Sequence, residues 1–251
     1  MRKTIIAGNW KMYKSPKQAL DFAHSLSDIE PNETVRVIVC APYLALPLLK
    51  EKVTLPLEIS AQNVHQEEEG AFTGEISASM LTSIGVDITL IGHSERRQYF
   101  GESDDVVARK VRRALSHELD IILCVGEHLE QREAGEEESV VSNQLKAALS
   151  GVSKEEMKSI SIAYEPVWAI GTGKTASSED AQAMGSHIRK ELISLYDEET
   201  SSACSLLYGG SVKPENIDEL LAQPDVDGVL VGGASLDPES FRKLVEAGNR
   251  K

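Results

Sequence analysis

A carboxylate, a histidine and a lysine, each just past the end of an apolar run, are the groups in this sequence best suited to moving a proton. Glu165 follows the run Ser159–Tyr164 and is followed at once by Pro166. Then come Val167, Trp168, Ala169 and Ile170, and two glycines, Gly171 and Gly173, before Lys174. A base that ends a strand beside a short apolar loop with glycines on its far side can be covered after substrate binds, and exclusion of water makes it a stronger base. His93 opens Gly92-His93-Ser94-Glu95-Arg96-Arg97 after the run Ile88–Ile91. A histidine at the start of a helical turn sits among N–H groups that disfavour the imidazolium, and the neutral ring can donate to a substrate oxygen. Lys11, in Gly8-Asn9-Trp10-Lys11-Met12, follows the first run and could steady developing negative charge, with Asn9 as a neutral donor to the same oxygens. Each residue also has a plainer reading: a rim carboxylate, a packed histidine, a solvated lysine.

Glycines suggest an anion site. Tyr208-Gly209-Gly210-Ser211-Val212 and Gly232-Gly233-Ala234 follow the last two runs. Gly171, Ser211, Gly232 and Gly233 can present backbone N–H groups to a phosphate, helped by a short helix start after the eighth run. Singly, such glycines only make turns. Gly-x-x-x-x-Gly-Lys is absent, no His/Asp/Glu cluster has metal-ligand spacing, and no cofactor is indicated. Glu95 reads equally as a partner for Lys11 or as a structural ion pair. Arg96 and Arg97 read as structural or interface salt bridges.

Elements that could hold these residues alternate regularly. Apolar, β-branched runs at Thr4–Ala7, Val35–Cys40, Leu57–Ala61, Ile88–Ile91, Ile121–Val125, Ser159–Tyr164, Ser205–Leu207 and Gly228–Val231 read as strands covered on both faces. Helical patterns fall between them: Pro16–Leu26 behind Ser15, Tyr43–Lys50, Ala78–Ile84, Asp105–His117, Ser139–Leu149, Ser178–Tyr196 behind Ser177 and Asp180, Pro214–Leu221 and Pro238–Ala247. Eight such units in 251 residues match a (β/α)8 barrel of eight parallel strands ringed by helices, one domain over residues 1–251. An open doubly wound sheet competes, but the first strand ends without its G-x-G-x-x-G. In a barrel, all the residues above converge at the C-terminal mouth.

Bulk properties narrow the classes. Lys and Arg number 26 against 40 Asp and Glu, a formal charge of −14, which argues against nucleic acid as a partner. A phosphate site must therefore be built locally. Cys40, Cys124 and Cys204 are far apart with no CxxC pair, so reduced cysteines are expected, with Cys124 a packing residue near the mouth. The most apolar stretch, Val35 to Leu49, contains Arg36, Pro42 and Pro47 and is too short for a membrane span; no signal peptide is apparent. The acidic patches Glu67–Glu69 and Glu136–Glu138 read as solvated loops.

The five motifs quoted above, from Gly8-Asn9-Trp10-Lys11-Met12 to Gly232-Gly233-Ala234, occur in an order that resembles the triosephosphate isomerase family over essentially the whole chain. The resemblance implies a TIM barrel without cofactor or metal. It implies interconversion of dihydroxyacetone phosphate and glyceraldehyde 3-phosphate, in glycolysis and gluconeogenesis, through an enediol-type intermediate. Glu165 would be the base, with His93, Asn9 and Lys11 polarising oxygens, Glu95 behind Lys11, and Pro166–Ala176 as the lid. A Glu base paired with a neutral His under a closing loop is that family's known arrangement and enters only through the resemblance. It further implies a cytoplasmic homodimer in which the long loop Gln62–Glu75, tipped by Phe72-Thr73-Gly74-Glu75, reaches the partner. Tyr13 and the acidic Gln66–Glu69 depart from the family pattern beside that interface. The rivals are another barrel isomerase or an aldolase acting on a phosphorylated sugar, the aldolase wanting a lysine deep in the barrel, and a non-catalytic barrel.

Overall fold

The computed structural model describes residues 2–53, 56–169 and 176–251. Eight parallel strands close into a barrel in sequence order: β1 Thr4–Asn9, β2 Val35–Ala41, β3 Glu58–Ala61, β4 Ile88–Ile91, β5 Asp120–Val125, β6 Ile160–Tyr164, β7 Leu206–Tyr208 and β8 Gly228–Val231. β8 returns to β1, with Ile5 opposite Gly228 and Gly8 opposite Val231, so the open-sheet alternative is excluded. Every strand expected from the apolar runs is present, with ends shifted by no more than two residues.

The continuous apolar runs have a simple cause. Alternate residues point inward and outward, and both sides are dry. Ile5, Ala7, Ile38, Cys40, Ile88, Leu90, Ile122, Cys124, Ala163, Leu207 and Leu230 fill the barrel interior. Their neighbours Ile6, Val37, Val39, Ile121 and Leu123 belong instead to the larger core shared with the helices.

Eleven α-helices lie among the described residues: α1 Pro16–Ser25, α2 Leu46–Lys52, α3 Ala78–Ser83, α4 Ser94–Phe100, α5 Asp104–Leu115, α6 Leu129–Glu133, α7 Glu137–Ala148, α8 Ser178–Leu195, α9 Glu198–Ala203, α10 Ile217–Leu221 and α11 Pro238–Arg250. Ser15 caps α1 in a reciprocal box with Gln18, and Ser177 caps α8 with Asp180. Some sequence expectations need correction. Glu137 and Glu138 are not loop residues but the first turn of α7, where carboxylates meet the positive end of the helix dipole. Pro214 precedes α10 rather than starting it. Tyr43–Lys50 divides into a 3-10 turn, Tyr43–Ala45, and α2. α6 and α9 left no sequence pattern because α6 buries no residue and α9 buries only Ser201.

Candidate active site

Glu165 directly follows β6. Its N–H donates to Val125 O (2.8 Å), which extends the β5–β6 ladder by one residue and fixes where its side chain begins. The carboxylate is only 2% exposed. Oε2 accepts from the Ser94 N–H at 2.8 Å, and Oε1 lies 3.1 Å from His93 Nε2. The surrounding backbone is tightly fitted. A Cβ on Gly126 would lie 1.7 Å from Glu165 O, and one on Gly209 would lie 2.9 Å from Glu165 Cγ.

His93 is the N-cap of α4. Its Nδ1 accepts from the Glu95 N–H at 3.2 Å. A ring nitrogen that accepts carries no proton, so this bond assigns the proton to Nε2, the atom facing Glu165. Lys11 sits in the left-handed region at φ 51°, a conformation that disfavours a side-chain-bearing residue. Three bonds hold it there: Lys11 N–H to Asn9 Oδ1 (3.0 Å), Gln62 Nε2 to Lys11 O (2.9 Å) and Lys11 Nζ to Glu95 Oε1 (2.6 Å). The last bond pairs Glu95 with Lys11. The bond from Lys11 also occupies Asn9 Oδ1, leaving its Nδ2 as the donor end.

Asn9, Lys11, His93 and Glu165 line a cavity of about 680 Å³ together with Ser211, Gly232 and Gly233. Asn216 Nδ2 donates to Ser211 O (3.0 Å), and the Ser235 hydroxyl donates to Gly232 O (2.7 Å), so both turns are braced. A 3-10 turn, Gly233–Ser235, follows β8. The structure therefore brings together every sequence-derived site residue that it describes. Gly171 and the lid tip, residues 170–175, lie outside the described residues.

One functional residue was missed. Glu127, just past β5, is fully buried and accepts from Tyr164 OH (3.0 Å) and Trp168 Nε1 (2.8 Å), while its O accepts from the Val167 N–H (3.1 Å). Arg132 stacks over Trp168 with its guanidinium carbon 5.4 Å from the ring centroid. Burial pushes the Glu127 carboxyl up, partly offset by the Trp168 and Tyr164 donors. Glu127 thus holds Val167 and Trp168, at the start of the loop after β6. Its signal was available: like Glu165, it is a carboxylate at a strand's C-terminal end.

None of the eight strands carries a lysine, which removes the Schiff-base feature an aldolase would need. Among the described residues, no group of three or more His, Cys, Asp and Glu side chains is arranged to hold a metal ion, and no helix is long and apolar enough to cross a membrane.

Comparison with known proteins agrees with this geometry. The family described as triosephosphate isomerase matches residues 4–248. A triosephosphate isomerase of Chloroflexus aurantiacus is 52% identical over 250 residues, covering 98% of this chain and 99% of that protein. Those of Carboxydothermus hydrogenoformans and Alkaliphilus metalliredigens are 51% and 50% identical over 248 and 246 residues, each covering 98% of this chain and 99% of the relative. The chain belongs to the triosephosphate isomerase family and is an intramolecular aldose–ketose isomerase.

Proposed function

We propose that this barrel, a single domain over residues 1–251, interconverts dihydroxyacetone phosphate and glyceraldehyde 3-phosphate with Glu165 as the only proton-transfer base. Glu165 removes a proton from the carbon beside the carbonyl and returns it to the neighbouring carbon. His93 Nε2–H, Asn9 Nδ2 and Lys11 Nζ stabilise the oxygens that gain charge in the enediol-type intermediate. The phosphate lies on the Ser211 and Gly232–Gly233 turns, with Gly171 closing over it from the lid. In the structure Glu165 is turned toward Ser94 N–H, so catalysis requires it to leave that donor and swing toward the substrate. The observation that carries the reading is the 3.1 Å approach of His93 Nε2 to Glu165 Oε1, with Lys11 lining the same cavity.

A coupled assay on purified protein tests the activity, and turnover in heavy water tests the route. Solvent deuterium should appear at C2 of glyceraldehyde 3-phosphate formed from dihydroxyacetone phosphate. Glu165→Gln should abolish turnover; a variant within tenfold of the parent would remove Glu165 as the base. The Gln62–Glu75 loop, with Phe72 44% exposed near its tip, supports a homodimer, and the enzyme's soluble triose substrates support a cytoplasmic location. Faster turnover of larger sugar phosphates would favour the rival barrel isomerase.

A further inference from the structure

A second, much smaller cavity also touches Glu165. Its volume is about 20 Å³, and its walls include Gly92, Ser94, Arg97, Gly126, Gln144 and Glu165. Val125, Val167 and His128 complete the lining, and the space has room for one water, which needs roughly 10–15 Å³. Arg97, read from sequence as a salt-bridge residue, is only half explained by that role. Its Nε donates to Gly92 O (2.9 Å) and its Nη1 to Asp104 Oδ1. Its Nη2 is buried and has no hydrogen-bond partner among the described residues. The backbone wraps this atom closely: Gly92 is at φ 76°, and a Cβ there would lie 3.2 Å from Nη2. Across the cavity, the Gln144 amide satisfies both the N–H (2.8 Å) and the C=O (3.0 Å) of Gly126. The Glu165 oxygens have lone pairs beyond those engaged by Ser94 and His93.

We propose that this cavity holds one water bridging Arg97 Nη2 to the Glu165 carboxylate, which makes Arg97 a positioning residue for the base. The water accepts from the guanidinium and donates to the carboxylate. It carries the cation's influence to a side chain Arg97 does not touch, and it steadies the ionised carboxylate in the orientation from which it swings to substrate. The idea rests on Glu165 being the base, and its test separates the two claims.

A high-resolution crystal structure of the unaltered protein should show a water within about 3.2 Å of both Arg97 Nη2 and a Glu165 oxygen. A dry cavity, or a water touching only one of them, overturns the proposal. Arg97→Met should lower kcat roughly tenfold, the scale of one lost hydrogen bond to a charged group, with KM within about twofold. The same change on a Glu165→Asp background, which keeps measurable turnover but draws the carboxylate back from the water, should lower kcat by less than about twofold. Asp104→Ala, which removes only the outer partner of Arg97, should leave kcat unchanged. Equal losses on both backgrounds, or the same loss in Asp104→Ala, make Arg97 a scaffold residue and sink the proposal. Full turnover by Glu165→Gln alone would defeat the base assignment whatever the water does.

Discussion

At the scale of single residues, the site depends on reach. Glu165→Asp withdraws the carboxylate by one methylene, and a displacement of about 1 Å typically costs about 10²-fold. We expect kcat to fall by at least that factor, with a smaller change in KM, in steady-state assays. His93→Ala removes one preorganised donor and should lower kcat by about 10²–10³-fold, leaving the fold intact by circular dichroism. The types and order of these residues were legible in sequence because each follows an apolar run. Their conformations were not. Nothing in the string Asn9-Trp10-Lys11 announces that Lys11 has a positive φ, because three partners impose it, two of them, Gln62 and Glu95, from distant segments. Glu127 carries the same local mark as Glu165, a carboxylate just past a strand, but the sequence does not announce whom it meets, Tyr164 and Trp168.

At the scale of elements, the loops after β5 and β6 act as one unit. Glu127→Leu would leave the Tyr164 hydroxyl and the Trp168 indole N–H without that acceptor. An abandoned buried donor costs about 1–3 kcal/mol, so the variant should lose about 2 kcal/mol or more in urea unfolding, and limited proteolysis should cut sooner near Trp168. A loss below about 0.5 kcal/mol, within the range of neutral surface changes, would show that water replaces the carboxylate readily. Strands and long helices were readable because burial leaves periodic traces: both faces of β2 and β5 are apolar, and α11 buries Phe241, Leu244 and Val245 at helical spacing. Short polar helices leave no such trace, as α6 shows.

At the scale of the whole molecule, two expectations concern accessibility. Burial pushes Cys40 and Cys204 up to about 12 and Cys124 well above its ordinary range. The thiolate, the reactive form, is therefore scarce at all three positions near neutral pH. The folded protein should therefore resist a thiol reagent that labels all three cysteines in denaturant; rapid labelling without denaturant would contradict the packing. Thr73→Arg places a long charged side chain at the tip of the loop that the proposed homodimer would set against its partner. It should lower the sedimentation coefficient toward that of a monomer at micromolar protein, and an unchanged coefficient would move the interface elsewhere.

Gln62 joins these scales. Its amide nitrogen, at the root of the long loop, reaches both Lys11 O and Cys40 O at 2.9 Å. Whatever steadies that loop from outside also steadies the awkward turn on which the lysine stands. In the homodimer proposed above, catalytic competence would then track how much of the enzyme is paired, with dilution loosening the backbone turn that carries Lys11 while the barrel stays intact.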